Sequence, residues 1–164
     1  MSPTPPVPTK QALRDELLAR LQADLDRQEQ AHRAAIEGAT HEEARPENSK
    51  DTRALEQSYL ARGQALRIEE LRRAVIEVAR MPLRRAEPGA RVSLGSLVTA
   101  DEDGAGRMLF VAPWGGGSSL AEGSVQVVTP TSPLGQALVG REVGDVCEVS
   151  AGGRARSLEL LDVA

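Results

Sequence analysis

The most informative stretch of the chain spans residues 125–149 and reads VQVVTPTSPLGQALVGREVGDVCEV. Its first four residues are mostly β-branched and predict a short strand. Ser132 followed by Pro133 predicts the start of a helix, with serine as the N-cap and proline at the first helical position. We expect this helix to last one or two turns and to stop at Gly140. Another strand is predicted at residues 143–149.

The sequence on both sides of this stretch continues the pattern of short apolar segments and glycine-rich turns. Thirteen of the fifteen glycines lie after residue 86. The further predicted strands are residues 91–98, 107–111 and 155–163, and the predicted turns between them are residues 101–106 and 152–153. We therefore predict a small α+β domain at residues 86–164, with a core made of leucine and valine.

The first half of the chain is rich in charge and poor in glycine, which is typical of helices. One apolar stripe repeats every four residues from Lys10 onward and consists of Leu13, Leu17, Leu21 and Leu25. A second stripe consists of Leu55, Tyr59, Leu66, Leu71, Val75 and Val78. Gly38 and Pro46 are predicted to interrupt the helix between the stripes, and Met81-Pro82 is predicted to end the second helix.

Two helices of this length with one apolar stripe each are expected to fold back on each other. We predict an antiparallel coiled-coil hairpin at residues 10–83, with its tip near residues 38–48. Because each stripe covers the other, the arm is expected to be monomeric. Residues 1–9 contain four prolines and are predicted to be a disordered tail.

Composition argues against several classes of function. The formal net charge is −4, whereas binding to duplex phosphates requires an excess of basic residues. The three aromatic residues, Tyr59, Phe110 and Trp114, are too few for a base-stacking platform. The single cysteine, Cys147, excludes an internal disulfide. No apolar run approaches the about 20 residues of a membrane span, so we expect a cytoplasmic protein with no membrane association.

The pattern Ser-Pro-Leu-Gly-x-Ala-Leu at residues 132–138 is followed by Gly140-Arg141 and by Gly144-Asp145. This combination resembles the carboxy-terminal domain of the Gre transcript-cleavage factors. Gly95-Ser96 with Val98 is similar to the first strand of that family. The resemblance covers about residues 10–163 and implies an α+β protein, with an N-terminal antiparallel coiled-coil hairpin followed by a small FKBP-like α+β domain.

The resemblance also implies a transcription elongation regulator that is not itself an enzyme. Gre factors bind bacterial RNA polymerase and insert their arm into its secondary channel. Acidic residues at the tip help to hold a catalytic magnesium there, and the polymerase hydrolyses backtracked RNA. For this chain the resemblance implies polymerase binding by Ser132, Pro133, Leu134 and Gly135, contact with the RNA 3′ end, and no cofactor beyond the magnesium of the polymerase.

The predicted tip departs from the family pattern Gly-Asp-Leu-x-Glu-Asn. Glu47-Asn48 aligns with the Glu-Asn of the family, and Glu43 lies nearest its Asp if one residue is inserted. The resemblance implies that Glu43 and Glu47 are magnesium ligands acting in trans, with Glu42 and Asp51 as weaker candidates. Glu47 and Asp51 equally suit the start of a helix, where carboxylates cap N–H groups and favour the dipole. Glu42 and Glu43 equally suit solvated positions.

Three other functions stay open on the sequence. The chain could bind the polymerase channel without stimulating cleavage, it could be a coiled-coil scaffold protein, or it could be a prolyl isomerase or peptide-binding module. The isomerase needs an aromatic-lined pocket, which Phe110 and Trp114 alone are too few to build. A scaffold protein needs no acid at the tip. The arginines of the second helix are interpreted as a solvated face, and Trp114 as a loop residue folded onto its own domain.

Overall fold

The computed structural model describes residues 6–43 and 52–164, and the side chains of residues 6–38 and 55–164. Its residues group into two compact units, Ala19–Ile76 and Glu77–Ala164 together with the chain up to Leu18. The helices are α1 (Lys10–Glu43), α2 (Thr52–Arg80) and α3 (Pro133–Leu138). The strands are β1 (Leu97–Glu102), β2 (Ala105–Val111), β3 (Ser119–Leu120), β4 (Val125–Val128), β5 (Val146–Ala151) and β6 (Arg154–Val163). The predicted α+β fold is confirmed.

The unit Ala19–Ile76 is an antiparallel helical hairpin, as predicted. Arg72 on α2 pairs with Glu29 on α1 at 2.8 Å between Nη2 and Oε1. Further along, Nδ1 of His32 lies 3.2 Å from Oε1 of Gln64. The apolar side chains buried within this unit include Leu21, Leu25, Ile68 and Leu71. No helix within the described residues is long and apolar enough to span a membrane.

Two details of the predicted arm are wrong. Leu55, Tyr59 and Leu66 were expected in the helix interface, but they are 59%, 67% and 62% exposed. Leu66 precedes the buried Ile68 by two residues, which is about 200° around a helix, so it lies on the opposite face. Gly38 does not interrupt α1, which continues to Glu43, because a single glycine costs a helix only about 1 kcal/mol.

The start of α1 shows a cap that the sequence analysis missed. The Thr9 Oγ1 accepts a hydrogen bond from the backbone N–H of Ala12 at 3.1 Å, which is the usual arrangement of a threonine N-cap.

Residues 1–5 of the predicted disordered tail lie outside the described residues. Of the predicted tip near residues 38–48, residues 44–48 lie outside the described part of the chain. The predicted end of the second helix is confirmed, since α2 stops at Arg80.

The second unit is built on one six-stranded sheet in the order β3-β4-β2-β1-β6-β5. Strands β2 and β4 are parallel, and the other neighbouring pairs are antiparallel. One face of the sheet carries an aliphatic core that includes Leu138 of α3, with Leu134 and Ala137 packed against it. The predicted leucine and valine core is confirmed. Its strand residues include Val98, Ala100, Leu109, Val111, Val128, Val149, Leu158 and Leu160.

The bases of both long helices belong to this second unit and are tied to its loops by hydrogen bonds. The Glu16 carboxylate accepts from the backbone N–H of Ala121 at 2.9 Å. The indole Nε1 of Trp114 donates to the Glu77 carboxylate at 2.6 Å. Trp114 therefore bonds to the base of α2, whereas the sequence analysis interpreted it as folded onto the domain at residues 86–164.

The first predicted strand is displaced in the structure. It runs over Leu97–Glu102 instead of residues 91–98. The backbone turns before Leu97, because Gly95 has a φ of +85° and the N–H of Ser93 donates to Ser96 Oγ at 3.0 Å. A β-carbon at Gly95 would lie 2.0 Å from the carbonyl oxygen of Pro82, so this turn requires glycine.

Other strand boundaries shift by a few residues. The predicted turn at residues 101–106 narrows to Asp103 and Gly104, which both have positive φ, as a two-residue hairpin loop requires. The strand predicted at residues 143–149 is Val146–Ala151. Strand β3, with only two residues, was not predicted. The turn at residues 152–153 and the strand Val125–Val128 are confirmed.

Cys147 gives a prediction about pH. The side chain is buried in the aliphatic core at 1% exposure, and this burial raises the pKa of the thiol, with Asp145 adding to the rise and Arg141 opposing it. Because the folded protein holds the proton more tightly than the unfolded chain, this stabilisation is complete below about pH 8.5 and is lost as the pH rises further.

We therefore expect the stability advantage of the wild type over Cys147→Ala to shrink above about pH 8.5, by up to about 1.4 kcal/mol per pH unit. Urea unfolding of both proteins from pH 7 to about pH 10 measures this difference. A difference that stays constant over that range would contradict the buried thiol.

Candidate functional site

Helix α3 begins as the Ser-Pro pattern predicts. Ser132 is the N-cap, and its hydroxyl oxygen accepts from the N–H of Gly135 at 3.1 Å. The same hydroxyl donates to the carbonyl oxygen of Thr129 at 2.7 Å. Pro133 occupies the first helical turn, where its missing N–H costs nothing. The hydroxyl thus fixes both the helix and the chain that leads into it.

Gly135 explains why this short helix can lie so close to the preceding chain. It is buried, and a β-carbon built on it would lie 1.8 Å from the carbonyl oxygen of Thr129 and 2.9 Å from the Cα of Pro130. Both contacts are with backbone atoms, which cannot rotate away as a side chain can. The Ser-Pro-Leu-Gly order is therefore a packing requirement of the loop and helix.

An open groove lies beside the start of α3, and we call it the α3 groove. Its volume is about 240 Å³. Ser132, Pro133 and Leu134 form one wall, whereas Gly135 lies behind that wall and does not line the groove. The aliphatic part of the lining consists of Val127, Val128, Val149, Ala151 and Leu158, and Gly116, Gly117 and Thr129 complete its loop side. No aromatic side chain lines it among the described residues.

A line of polar side chains crosses four strands along the α3 groove, and we call it the charged row. It consists of Gln126 on β4, Arg107 on β2, Glu102 on β1 and Arg156 on β6, all of which line the groove. Arg107 donates to the carboxylate of Glu102 and to the side-chain oxygen of Gln126. Arg156 Nη1 lies 3.6 Å from the other carboxylate oxygen of Glu102.

The sequence analysis did not identify the charged row, although a signal for it exists. Side chains on a strand alternate between the two faces of a sheet. Glu102 is in phase with the core residue Ala100, Arg107 with Leu109, and Arg156 with Leu158. A charged residue at a core-facing position marks the place where α3 no longer covers the sheet.

Comparison of the sequence with those of known proteins assigns the chain to a family. The transcription elongation factor GreA of Beijerinckia indica is 33% identical to this chain over 156 residues. The aligned region covers 93% of this chain and 91% of the length of that protein. The corresponding protein of Methylobacterium nodulans is 31% identical over 153 residues, 89% of this chain and 91% of its own. This chain belongs to the GreA/GreB family of transcription elongation factors.

The match to a family model agrees with this assignment. The family model described as "Transcription elongation factor, GreA/GreB, C-term" matches residues 87–164, which contain the whole sheet, α3 and the groove. Among solved structures, GreA factor homolog 1 of Thermus thermophilus aligns with 90% of this chain and 94% of its own, at 19% identity and a TM-score of 0.40. As a Gre-type factor, the chain is an accessory transcription elongation factor and not an enzyme, as predicted.

The tip residues predicted for a Gre-type factor are only partly within the described chain. Glu42 and Glu43 are the last two residues of α1, and their side chains lie outside the described part. Glu47 and Asp51 lie outside it altogether. Their assignment as magnesium ligands stays a prediction. In the part of the chain that the structure describes, no group of three or more acidic, histidine or cysteine side chains could hold a metal ion.

Two arginines of α2, Arg67 and Arg72, form ion pairs on the helix surface, which agrees with the interpretation of a solvated face. Arg67 pairs with Glu70 at 3.2 Å, and Arg72 pairs with Glu69 at 2.7 Å in addition to Glu29. The hydrogen bonds that Arg72 donates to the carboxylate of Glu29, and then to that of Glu69, raise the pKa of Arg72. These exposed pairs hold the arm together locally and add little stability each.

Proposed function

We propose that this chain binds bacterial RNA polymerase through the α3 groove and extends its helical arm into the secondary channel to stimulate cleavage of backtracked RNA. Membership in the GreA/GreB family supports this proposal. The observation that carries it is the groove itself, because three of the four residues that the resemblance assigned to polymerase binding, Ser132, Pro133 and Leu134, form one of its walls.

The groove has the features of a protein-binding site. Its lining combines aliphatic side chains with the charged row, and a protein interface commonly combines apolar and polar contacts in this way. Ser132 and Gly135 lock the wall in place through the cap and the close backbone contact. A rigid wall binds a partner without a large loss of conformational entropy.

The role of the groove is tested with Leu134→Ala. Leu134 is partly buried and lines the groove, so its truncation removes an apolar contact with the partner. We expect the affinity for core RNA polymerase to fall about tenfold. The matched control is Gln136→Ala, an exposed residue of the same helix that does not line the groove.

The binding is measured by fluorescence anisotropy of the labelled factor titrated with core polymerase, after circular dichroism confirms that both variants are folded. Equal affinities of Leu134→Ala and Gln136→Ala would show that the groove is not the binding site. Absence of binding by the wild type would contradict the proposed function as a whole.

The second part of the proposal concerns the tip of the arm. Glu43 and Glu47 supply carboxylate oxygens to a magnesium ion held jointly with the polymerase, and Glu42 and Asp51 are secondary candidates. Hard divalent cations prefer such oxygen ligands, and a second metal in a phosphoryl-transfer site activates water and stabilises the leaving oxygen. The tip then lies near the RNA 3′ end, and the factor works as a monomer in the cytoplasm beside the polymerase.

One observation favours a second candidate function. A proline directly precedes Glu47, and the glycine that begins the family's tip pattern is absent from this sequence. Carboxylates that share a metal ion must be held within a fraction of an ångström. A tip with altered geometry would enter the channel without promoting cleavage, so that the factor would instead occlude nucleotide entry or alter pausing.

A further inference from the structure

The charged row of the α3 groove carries an unbalanced positive charge. Two guanidinium groups, those of Arg107 and Arg156, share one carboxylate, that of Glu102. The Glu102 side chain is only 14% exposed, whereas the Arg107 and Arg156 side chains are 30% and 50% exposed. The Glu102 carboxylate is therefore already paired within the row, and the remaining positive charge faces the groove.

Arg156 is the member of the row with free binding capacity. Arg107 donates to two partners, Glu102 and Gln126. Among the described residues, Arg156 has one ion pair, and that pair is long at 3.6 Å. A guanidinium presents a planar set of N–H donors that matches the two oxygens of a carboxylate. Arg156 can therefore donate hydrogen bonds to a second carboxylate while it keeps its contact with Glu102.

The α3 groove is positively charged although the domain that carries it is acidic. Residues 86–164 contain five basic and ten acidic residues. Two of those five basic residues lie in this one groove, with Glu102 as its single acidic lining residue among the described side chains. A local positive site on an acidic domain attracts an acidic group and repels a basic one.

The floor next to Arg156 is apolar. Leu158 and Val149 are 2% and 6% exposed, and both line the groove together with Leu134. The space of about 240 Å³ accommodates one large aliphatic side chain. The groove thus offers an apolar pocket and a guanidinium side by side, and it lacks the aromatic surface on which a nucleic-acid base would stack.

We infer that the polymerase segment bound in the α3 groove carries an apolar side chain that fills the floor and a neighbouring carboxylate that binds Arg156. This inference rests on the proposed function, because polymerase is the occupant to which it assigns a chemistry. It makes Arg156 the residue that selects an acidic partner surface.

The test compares Arg156→Gln with Arg154→Gln. Both residues are exposed on β6, and both substitutions remove one positive charge, but Arg154 does not line the groove. Affinity for core polymerase without nucleic acid is measured at several salt concentrations. We expect Arg156→Gln to weaken binding about tenfold and to reduce its dependence on salt, while Arg154→Gln stays within about twofold of the wild type.

Arg156→Lys distinguishes the contribution of the guanidinium geometry from the contribution of its positive charge. It retains the positive charge but loses the planar pair of donors, so its affinity is expected to lie between those of the wild type and Arg156→Gln. Thermal unfolding of each variant verifies that the domain is intact.

Equal binding by Arg156→Gln and Arg154→Gln would overturn the inference and leave the proposed function standing. Binding that appears only when RNA or DNA is added would overturn it in favour of a nucleic-acid contact. Absence of polymerase binding by the wild type would overturn the proposed function and this inference together.

Discussion

Gly135→Ala is expected to lower the free energy of unfolding of the sheet domain by about 3 kcal/mol. The added methyl group would lie 1.8 Å from the carbonyl oxygen of Thr129 and 2.7 Å from its carbonyl carbon. Since these atoms belong to the backbone, α3 would have to move away from the chain that caps it. Such a movement would also break the hydrogen bond between Ser132 Oγ and the N–H of residue 135.

The same substitution at Gly63 is the matched control. Gly63 lies within α2, and a β-carbon there would meet no atom within 4 Å. Gly63→Ala is therefore expected to raise the stability of the helical hairpin by about 0.5–1 kcal/mol. Urea unfolding monitored by far-UV circular dichroism measures both variants. A Gly135→Ala variant within about 1 kcal/mol of the wild type would contradict the packing described for α3.

Local rules were sufficient to predict α3 from the sequence. The N-cap hydroxyl of Ser132, the proline that follows it and the stop at Gly140 all act within one turn of helix, so they do not depend on the rest of the fold. The stripe of Leu13, Leu17, Leu21 and Leu25 was predicted for the same reason, and all four side chains are buried.

The first strand was misplaced because a local pattern competed with a tertiary contact. Residues 91–98 contain a set of apolar residues that is typical of a strand. The backbone at Gly95 instead passes close to the carbonyl oxygen of Pro82, which is distant in sequence. The true strand ends in Glu102, a residue that propensity disfavours and that Arg107 and Arg156 neutralise from neighbouring strands.

The phase of each strand indicates that these charged side chains face the core side of the sheet, but their alignment into the charged row depends on strand register. Its four members come from four strands, and only the pairing of β4, β2, β1 and β6 brings them into one line. The exposed stripe on α2 has a related cause. Leu55, Tyr59 and Leu66 follow helical spacing, but the phase of a helix in its interface is fixed by its partner, here through Ile68 and Leu71.

Loss of the tip carboxylates is the functional change with the largest expected effect. Replacing Glu47 or Glu43 by glutamine would remove one charged oxygen ligand from the magnesium that we propose is shared with the polymerase, and it keeps the size of the side chain. We expect the cleavage rate of backtracked RNA to fall on the order of 100-fold for each variant. Glu37→Gln is the matched control, because Glu37 is an exposed acid earlier on α1 and its replacement changes the charge of the arm equally.

The most direct test of the account uses a stalled, backtracked elongation complex with 3′-labelled RNA, purified polymerase and magnesium. The rate at which short 3′ fragments are released is measured with the wild type, Glu43→Gln, Glu47→Gln and Glu37→Gln. The account predicts rapid release with the wild type and Glu37→Gln, and release near the intrinsic rate of the polymerase with the two tip variants. Equal release by the wild type and both tip variants, or no release above the intrinsic rate with the wild type, would contradict it.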